Sequence, residues 1–409
     1  MKGKKIHMVG IGGIGMSALA QLYAHEGAIV TGSDRSEQPT TQMLEKKGIP
    51  VFIGSHATNV STDAELLVYS DAIVEGSEGY VERQRAQELG IKEMSYFEAL
   101  GKVADGKKTI AVAGTNGKTT TTAMLAKILI DAGLDPTVVV GSIVSEWGSN
   151  FRAGKSNLFV VEACEYKNHF LKFSPAVLVI TNIEFEHTDF FTSLADVEAA
   201  FAQARAQAGV VVEHAQYAKE SVPDLLVPGE FNRDNARAAK AAAKVVAPEL
   251  TDAGVDASLA MFRGTWRRFE YKGQTLGGAD LYDDYAHHPT AIHKTITAAR
   301  EKFPGKQVIV FFHPHLYSRT RDLFDEFATA LATADQTYVL PVFAAREPHD
   351  AAVSNVALAG AIQKKGGKAE AVGGLEETTE KIKSFGAGAL VFTMGAGDVY
   401  KAGEQALAK

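Results

Sequence analysis

Short apolar runs recur along this chain, and most are followed by segments with apolar side chains at helical spacing. Residues 6–9 (IHMV) form such a run, after which Ala18, Leu19, Leu22 and Tyr23 share one helix face. Further strands are predicted at 28–34, 51–53 and 66–69. A second block places strands at 110–113, 137–141, 158–161, 177–181 and 210–212. Its helices run through Met124, Leu125, Ile128 and Leu129 and, rich in alanine, over 234–246. A third block alternates strands at 308–312, 337–340 and 390–393 with helices at 289–302, 320–332 and 402–408. Apolar strands alternating with helices predict an α/β chain of parallel sheets with helices on both faces. The three blocks predict three domains over 1–104, 105–262 and 263–409: an N-terminal Rossmann-like domain, a central P-loop ATPase-like domain and a C-terminal Rossmann-like domain.

Composition sharpens this only at the margins. The chain has 409 residues, 46% apolar and 22% charged, as an ordinary soluble protein does. A net charge of −7 argues against nucleic acid as a partner. The lone cysteine, Cys164, excludes an internal disulfide framework and fits a reducing compartment. Lys2, Lys4 and Lys5 before an apolar run imitate a secretory signal, but four glycines interrupt that run, so a cytoplasmic location is expected. No stretch is apolar and long enough to span a bilayer, and no membrane partner is expected.

Chemistry concentrates where predicted strands end. The strand at 110–113 runs into Gly114-Thr115-Asn116-Gly117-Lys118-Thr119, and a helix opens on Thr119 and Thr120. Such a loop turns backbone N–H groups and a helix N-terminus toward phosphate oxygens. Lys118 would reach the outer phosphates, and the Thr119 hydroxyl would meet a magnesium ion. Glu162, at the end of the next strand, is an oxygen ligand suited to the same cation. His187 is a candidate second metal ligand or γ-phosphate partner. Asn232 and Asn235 can donate and accept, as recognition of an adenine edge requires, although Asn232 could equally cap a helix. Arg267 and Arg268 carry forked cations suited to phosphate, or form a solvated surface pair.

Upstream, Gly10-x-Gly12-x-x-Gly15 with Asp34 completes a dinucleotide fingerprint. Alone it would suggest a nicotinamide enzyme. A second phosphate loop a hundred residues later favours ATP in one domain and a nucleotide-bearing substrate in the other. In the third block, Asp283-Asp284-Tyr285-Ala286-His287-His288 and the stretch 313–322 each end a strand and open a helix. Arginines at the start of a helix oppose its dipole, so Arg319 and Arg321 look reserved for an anion, unless they pair with Asp322 or Asp325.

Together the strings IHMVGIGGIGMSALA, TGSD, AGTNGKTTTTAM, TNIEFEHTD, RRFE, DDYAHHPT, SRTRDLFDEF, AAREP and TMGAGDVYKAGE resemble the muramyl (Mur) ligases of peptidoglycan synthesis, in order and over essentially the whole chain. The resemblance implies three domains, for UDP-N-acetylmuramate, for ATP with Mg2+, and for an amino acid. It implies amide formation through an acyl phosphate, with L-alanine as the acceptor, or another amino acid or a recycled peptide. Gly12, Gly13, Gly15, Ser33, Asp34 and Ser70 match the UDP-sugar domain. Lys118, Thr119, Glu162 and His187 match the phosphate and metal site. Asn232, Asn235, Arg268 and Asp283 match ATP contacts, and Tyr285, His287 and Arg319 the amino-acid pocket. The family pattern has arginine at Leu316, Asp at Cys164 and His at Phe231, and a longer central domain between 201 and 228. The departure at Leu316 leaves the choice of amino acid open.

Overall fold

The apolar runs become the strands of three sheets in the computed structural model, which describes residues 1–187, 190–345 and 347–408. Thr188, Asp189 and Arg346, which belong to the motif strings above, lie outside the described residues. The chain packs as two compact units. One comprises Met1–Asn182, Glu198–Ser221 and Ala236–Leu259; the other comprises Ile183–Val197, Val222–Asn235 and Ala260–Lys409.

The first unit holds two sheets. The N-terminal one has β1 (Lys5–Val9), β2 (Ile29–Asp34), β3 (Val51–Ile53), β4 (Leu66–Tyr69) and β5 (Lys92–Ser95), all parallel, in the order β3-β2-β1-β4-β5. Val9 pairs with Ser33 and with Tyr69, so the loops after β1, β2 and β4 leave from one edge. The other sheet contains β6 (Lys108–Ala113), β7 (Thr137–Val144), β8 (Ser149–Arg152), β9 (Leu158–Glu162), β10 (Val177–Ile180) and β11 (Val210–Val212), in the order β11-β10-β6-β9-β7-β8. Only β8 runs antiparallel. The sequence pattern gives no hint of β8, because its SNFR carries no apolar run. Its polar residues are instead used for joining. Asn150 Nδ2 donates to Ser17 Oγ at 2.9 Å, Gln21 Nε2 to Asn150 Oδ1 at 2.9 Å, and Ser149 Oγ to Gln21 Oε1 at 2.9 Å. This ladder fixes the helix Ile14–His25 of the first sheet against β8 of the second.

The second unit is built on β12 (Glu270–Gln274), β13 (Asp280–Asp284), β14 (Gln307–Phe312), β15 (Gln336–Val339), β16 (Ala369–Ala371) and β17 (Ala389–Met394), in the order β12-β13-β17-β14-β15-β16, with only β12 antiparallel. Every residue of β17 is buried, as expected of a central strand covered on both faces. One face packs Ile292, Ile296, Phe312, Phe327, Leu358 and Phe392 into a core, the other Leu281, Phe311, Ile382 and Val391. Asp284 and Phe312 both pair with Met394, which aligns the loops after β13, β14 and β17 at one edge.

Three helix ends differ from the pattern's expectation. The alanine-rich helix begins at Glu230, not 234, so Asn232 lies inside its first turn rather than before it. The helix expected over 320–332 is two, Tyr317–Asp322 and Phe324–Leu331, broken where Leu323 leaves helical backbone (φ −115°, ψ 26°). The last helix runs Val399–Gln405, three residues early. Among the described residues no helix is long and apolar enough to cross a membrane.

Candidate active site

The phosphate loop follows β6 and is braced from β10. Thr115 N donates to Asn182 O at 3.0 Å, Asn116 N to Asn182 Oδ1 at 2.9 Å, and Thr181 Oγ1 to Asn116 O at 2.6 Å. Gly114 has φ +129°, and a Cβ there would stand 2.1 Å from Thr181 Oγ1, so only glycine fits. Gly117 caps the helix Lys118–Asp131 with φ 86° and offers no side chain to the terminal N–H groups. That leaves a bare helix N-terminus, the element that suits an anion. The Lys118 ammonium lies over the loop, donating to Gly114 O, to Thr115 O at 3.0 Å and to both oxygens of the buried Glu165 at 3.0 and 3.1 Å.

Beside it, Thr119 Oγ1 donates to Glu162 Oε1 at 3.1 Å, and Gly141 N donates to Glu162 Oε2 at 2.8 Å. The Glu162 carboxylate is therefore aimed from both oxygens. A hydroxyl and a carboxylate this close form a hard-oxygen donor set that fits magnesium. The aiming group, Gly141, sits in a plain valine-rich strand, and its residue type carried no sequence signal. Cys164 keeps its proton, because burial and the nearby Glu165 push the thiol up to about 12. His187 belongs to the second unit and has φ 56°.

At the first glycine loop, Gly13 is exposed and opens the helix Ile14–His25 with no side-chain cap, while Gly12 is buried and its N–H donates to Asp34 Oδ2 at 2.9 Å. Asp34 Oδ1 accepts from Gln38 Nε2 at 3.2 Å, so this carboxylate closes the turn itself. Ser33, expected at the sugar nucleotide, is fully buried instead. Its hydroxyl donates to Glu82 at 2.7 Å, and its carbonyl takes the N–H groups of Gly10 and Ile11 at 2.8 and 2.9 Å. It shapes the loop from beneath. Glu82, which also pairs with His7 at 2.8 Å, is a buried acid that its polar sequence neighbourhood hides. Ser70 follows β4 at the same edge, its N–H bound to Val9 O.

In the second unit Asp283, expected at ATP, is also buried and fully engaged. Arg267 Nε donates to its Oδ2 at 2.7 Å and Thr393 Oγ1 to its Oδ1 at 2.6 Å. Arg267 further donates to the carbonyls of Gly395 and Gly397 at 2.6 and 3.2 Å, stapling that loop to β13. Of the arginine pair, Arg268 is the half-buried one, its guanidinium 5.1 Å from the ring centre of Tyr285. Asn232 and Asn235 are buried and bonded to each other at 3.3 Å, with Asn232 Nδ2 donating to Pro228 O at 2.6 Å.

Tyr285, His287 and Arg319 converge. The rings of Tyr285 and His287 meet edge to face at 5.0 Å, and His287 Nδ1 contacts Tyr285 O at 2.9 Å. His287 Nε2 and Arg319 Nη2 each lie 3.4 Å from Oε1 of Glu186, which is 6% exposed. Burial pushes the Glu186 carboxyl up, but His287, His187 and Arg319 outweigh it and hold the carboxyl well below the ordinary range. Burial lowers His287, against the upward pull of Glu186. Arg321 follows the paired alternative: it binds Asp322 at 3.2 Å and Asp350 at 3.0 Å. Leu316 is buried with φ 70° and ψ 133°, a sparsely populated backbone for a residue with a side chain. Glu186 lies in the motif TNIEFEHTD, but nothing in the sequence sets it apart from Glu184.

Comparison with known proteins matches this chain to one family. Its sequence models match three consecutive segments: Mur ligase family, catalytic domain, at residues 5–108; Mur ligase middle domain at 112–209; and Mur ligase, glutamate ligase domain, at 267–397. The chain belongs to the Mur ligase family. It is 40% identical over 449 aligned residues to the UDP-N-acetylmuramate–L-alanine ligase of Desulfitobacterium hafniense, with 98% of each chain covered. It is 37% identical to that of Agathobacter rectalis, covering 99% of this chain and 98% of the other. The crystal structure of the UDP-N-acetylmuramate-alanine ligase of Thermotoga maritima superposes with a TM-score of 0.81 at 29% identity over 97% of each chain. A murein peptide ligase from Psychrobacter arcticus shares the fold (TM-score 0.70, 21% identity, full coverage of both chains).

Proposed function

We propose that this chain is an ATP-dependent amide ligase that joins L-alanine to the carboxylate of UDP-N-acetylmuramate, a step of peptidoglycan precursor synthesis, through an acyl phosphate. The observation that carries the reading is the aimed Thr119–Glu162 pair beside Lys118 in a chain 40% identical, end to end, to a ligase of that name. The three-way division 1–104, 105–262 and 263–409 then assigns sugar nucleotide, ATP and amino acid in turn.

In this reading the bare N-terminus at Gly117 and the ammonium of Lys118 bind the ATP phosphates, Lys118 exchanging Glu165 for phosphate oxygens. Thr119 and Glu162 would hold magnesium, which supplies charge neutralisation on the phosphates. His187 is a further candidate ligand, and Arg268 a cation for the transferring group. The muramoyl carboxylate oxygen attacks the γ-phosphorus and ADP leaves. The amino group, having given up its extra proton to solvent, then attacks the acyl carbon; the C–N bond forms, the nitrogen loses a second proton, the C–O bond to phosphate breaks, and inorganic phosphate departs. Exposed Gly13 and the helix it opens suit the UDP diphosphate, while Asp34 and Ser33 shape the loop that presents it.

Purified protein, ATP, magnesium and UDP-N-acetylmuramate are mixed with single amino acids, and ADP release is followed. ADP release that requires the sugar nucleotide and is fastest with L-alanine is expected. A preference for another amino acid or a peptide would move the chain to a sister ligase, and no substrate-dependent ADP would refute the ligase.

A further inference from the structure

The amino-acid pocket read above contains a charge it leaves unused. Glu186 is buried, and its described ion-pair partners, Arg319 and His287, meet the same oxygen, each at 3.4 Å. A tight charge-assisted bond is about 2.8 Å long, and arginine normally grips a carboxylate with two parallel bonds. Here the grip is single and long. The other terminal nitrogen of Arg319 lies 3.4 Å from His315 Nδ1. The pair is thus a buried anion and a buried cation held loosely side by side, with the His287 imidazole at the same oxygen.

An α-amino acid has the complementary pattern, a carboxylate and an ammonium two bonds apart. Were it to insert, one long pair would become two short ones. Every buried charge would stay compensated, which burial of charge requires. We infer that Glu186 and Arg319 form a receptor for the amino-acid zwitterion, Glu186 taking the ammonium and Arg319 the carboxylate. The inference rests on the ligase reading and adds a residue to its acceptor site. It also states a selection rule. A simple amine offers Arg319 nothing in exchange for Glu186, so free amino acids are bound as acceptors, whereas an amine lacking a carboxylate is not held there and reacts only as a trapping reagent at high concentration.

The test compares parent protein with Glu186→Gln and Glu186→Asp, using L-alanine as acceptor and then hydroxylamine, which carries no carboxylate and traps an acyl phosphate as hydroxamate. Removing one charged partner should raise the KM for L-alanine on the order of 10- to 100-fold in Glu186→Gln, and less in Glu186→Asp, with KM for ATP unchanged. Hydroxamate should still form in both, which shows that the variants fold and activate the carboxylate. Arg321→Ala, whose exposed side chain pairs with Asp322 and Asp350, should keep the parent's KM. An unchanged KM for L-alanine in Glu186→Gln overturns the inference while leaving the ligase standing. Loss of hydroxamate together with amide also overturns it, because Glu186 would then act before the acceptor arrives. A parent that makes neither product refutes the ligase reading and the inference with it.

Discussion

Burial pushes the Asp284 carboxyl from its ordinary 3.8 up to about 6, although Arg268 and the N–H groups of Ala286 and Phe269 pull it down. Between those two values the folded chain keeps a proton that the unfolded chain has lost. This group therefore makes stability fall as pH rises from about 4 to about 6, by about 3 kcal/mol in all. Asp284→Asn removes that slope. Denaturant midpoints at pH 4 and pH 7 should show the variant gaining on the parent as pH rises; a constant difference would contradict the shift. Asp284 and its neighbours also show what a residue type conceals. Residue type alone does not tell Arg267 from Arg268 or Asp283 from Asp284; the family resemblance picks Arg268 and Asp283 for ATP. In the structure Arg267 and Asp283 are bound to each other inside the unit, and Arg268 beside Tyr285 is the arginine left nearer the surface. Ser33, expected at the sugar nucleotide, shows the same limit: side chains alternate across a strand, and its hydroxyl points to the buried Glu82.

Among the elements, β7 and β9 meet where Gly141 lies against Glu162. A Cβ on Gly141 would stand 2.4 Å from Glu162 Oε2. Gly141→Ala should push the carboxylate off Thr119 and lower kcat on the order of 100-fold, since a displacement near 1 Å in a catalytic group costs about that much. Binding of UDP-N-acetylmuramate, measured by calorimetry without ATP, should be unaffected. Parental kcat would mean that Glu162 is not the aimed ligand. Elements were legible where burial on both faces enforces an apolar run, as in β6, β9, β10, β14 and β17. Edge strands β5 (KEMS), β8 (SNFR) and β12 (EYKGQ) were not, because an edge leaves one side open to polar residues. The helix Tyr80–Glu88 escaped too, since its buried positions are Glu82 and Ala86 rather than an apolar stripe.

Across the whole molecule the three sheets repeat one rule, with chemistry in the loops at the strands' C-terminal ends. That rule made the phosphate loop, Glu162 and the His287–Arg319 group legible, because each lies just beyond an apolar run. What sequence spacing could not supply is convergence. Glu186 and Arg319 are far apart in the chain yet 3.4 Å apart in space. The ligase reading requires that phosphoryl transfer activate the sugar carboxylate before the amine attacks. UDP-N-acetylmuramate labelled with ¹⁸O in its carboxylate tests this in one turnover with ATP, magnesium and L-alanine, by mass spectrometry of the products. Recovery of one ¹⁸O atom in inorganic phosphate is expected, because the attacking oxygen leaves with the phosphoryl group. Amide formation with unlabelled phosphate would contradict the claim.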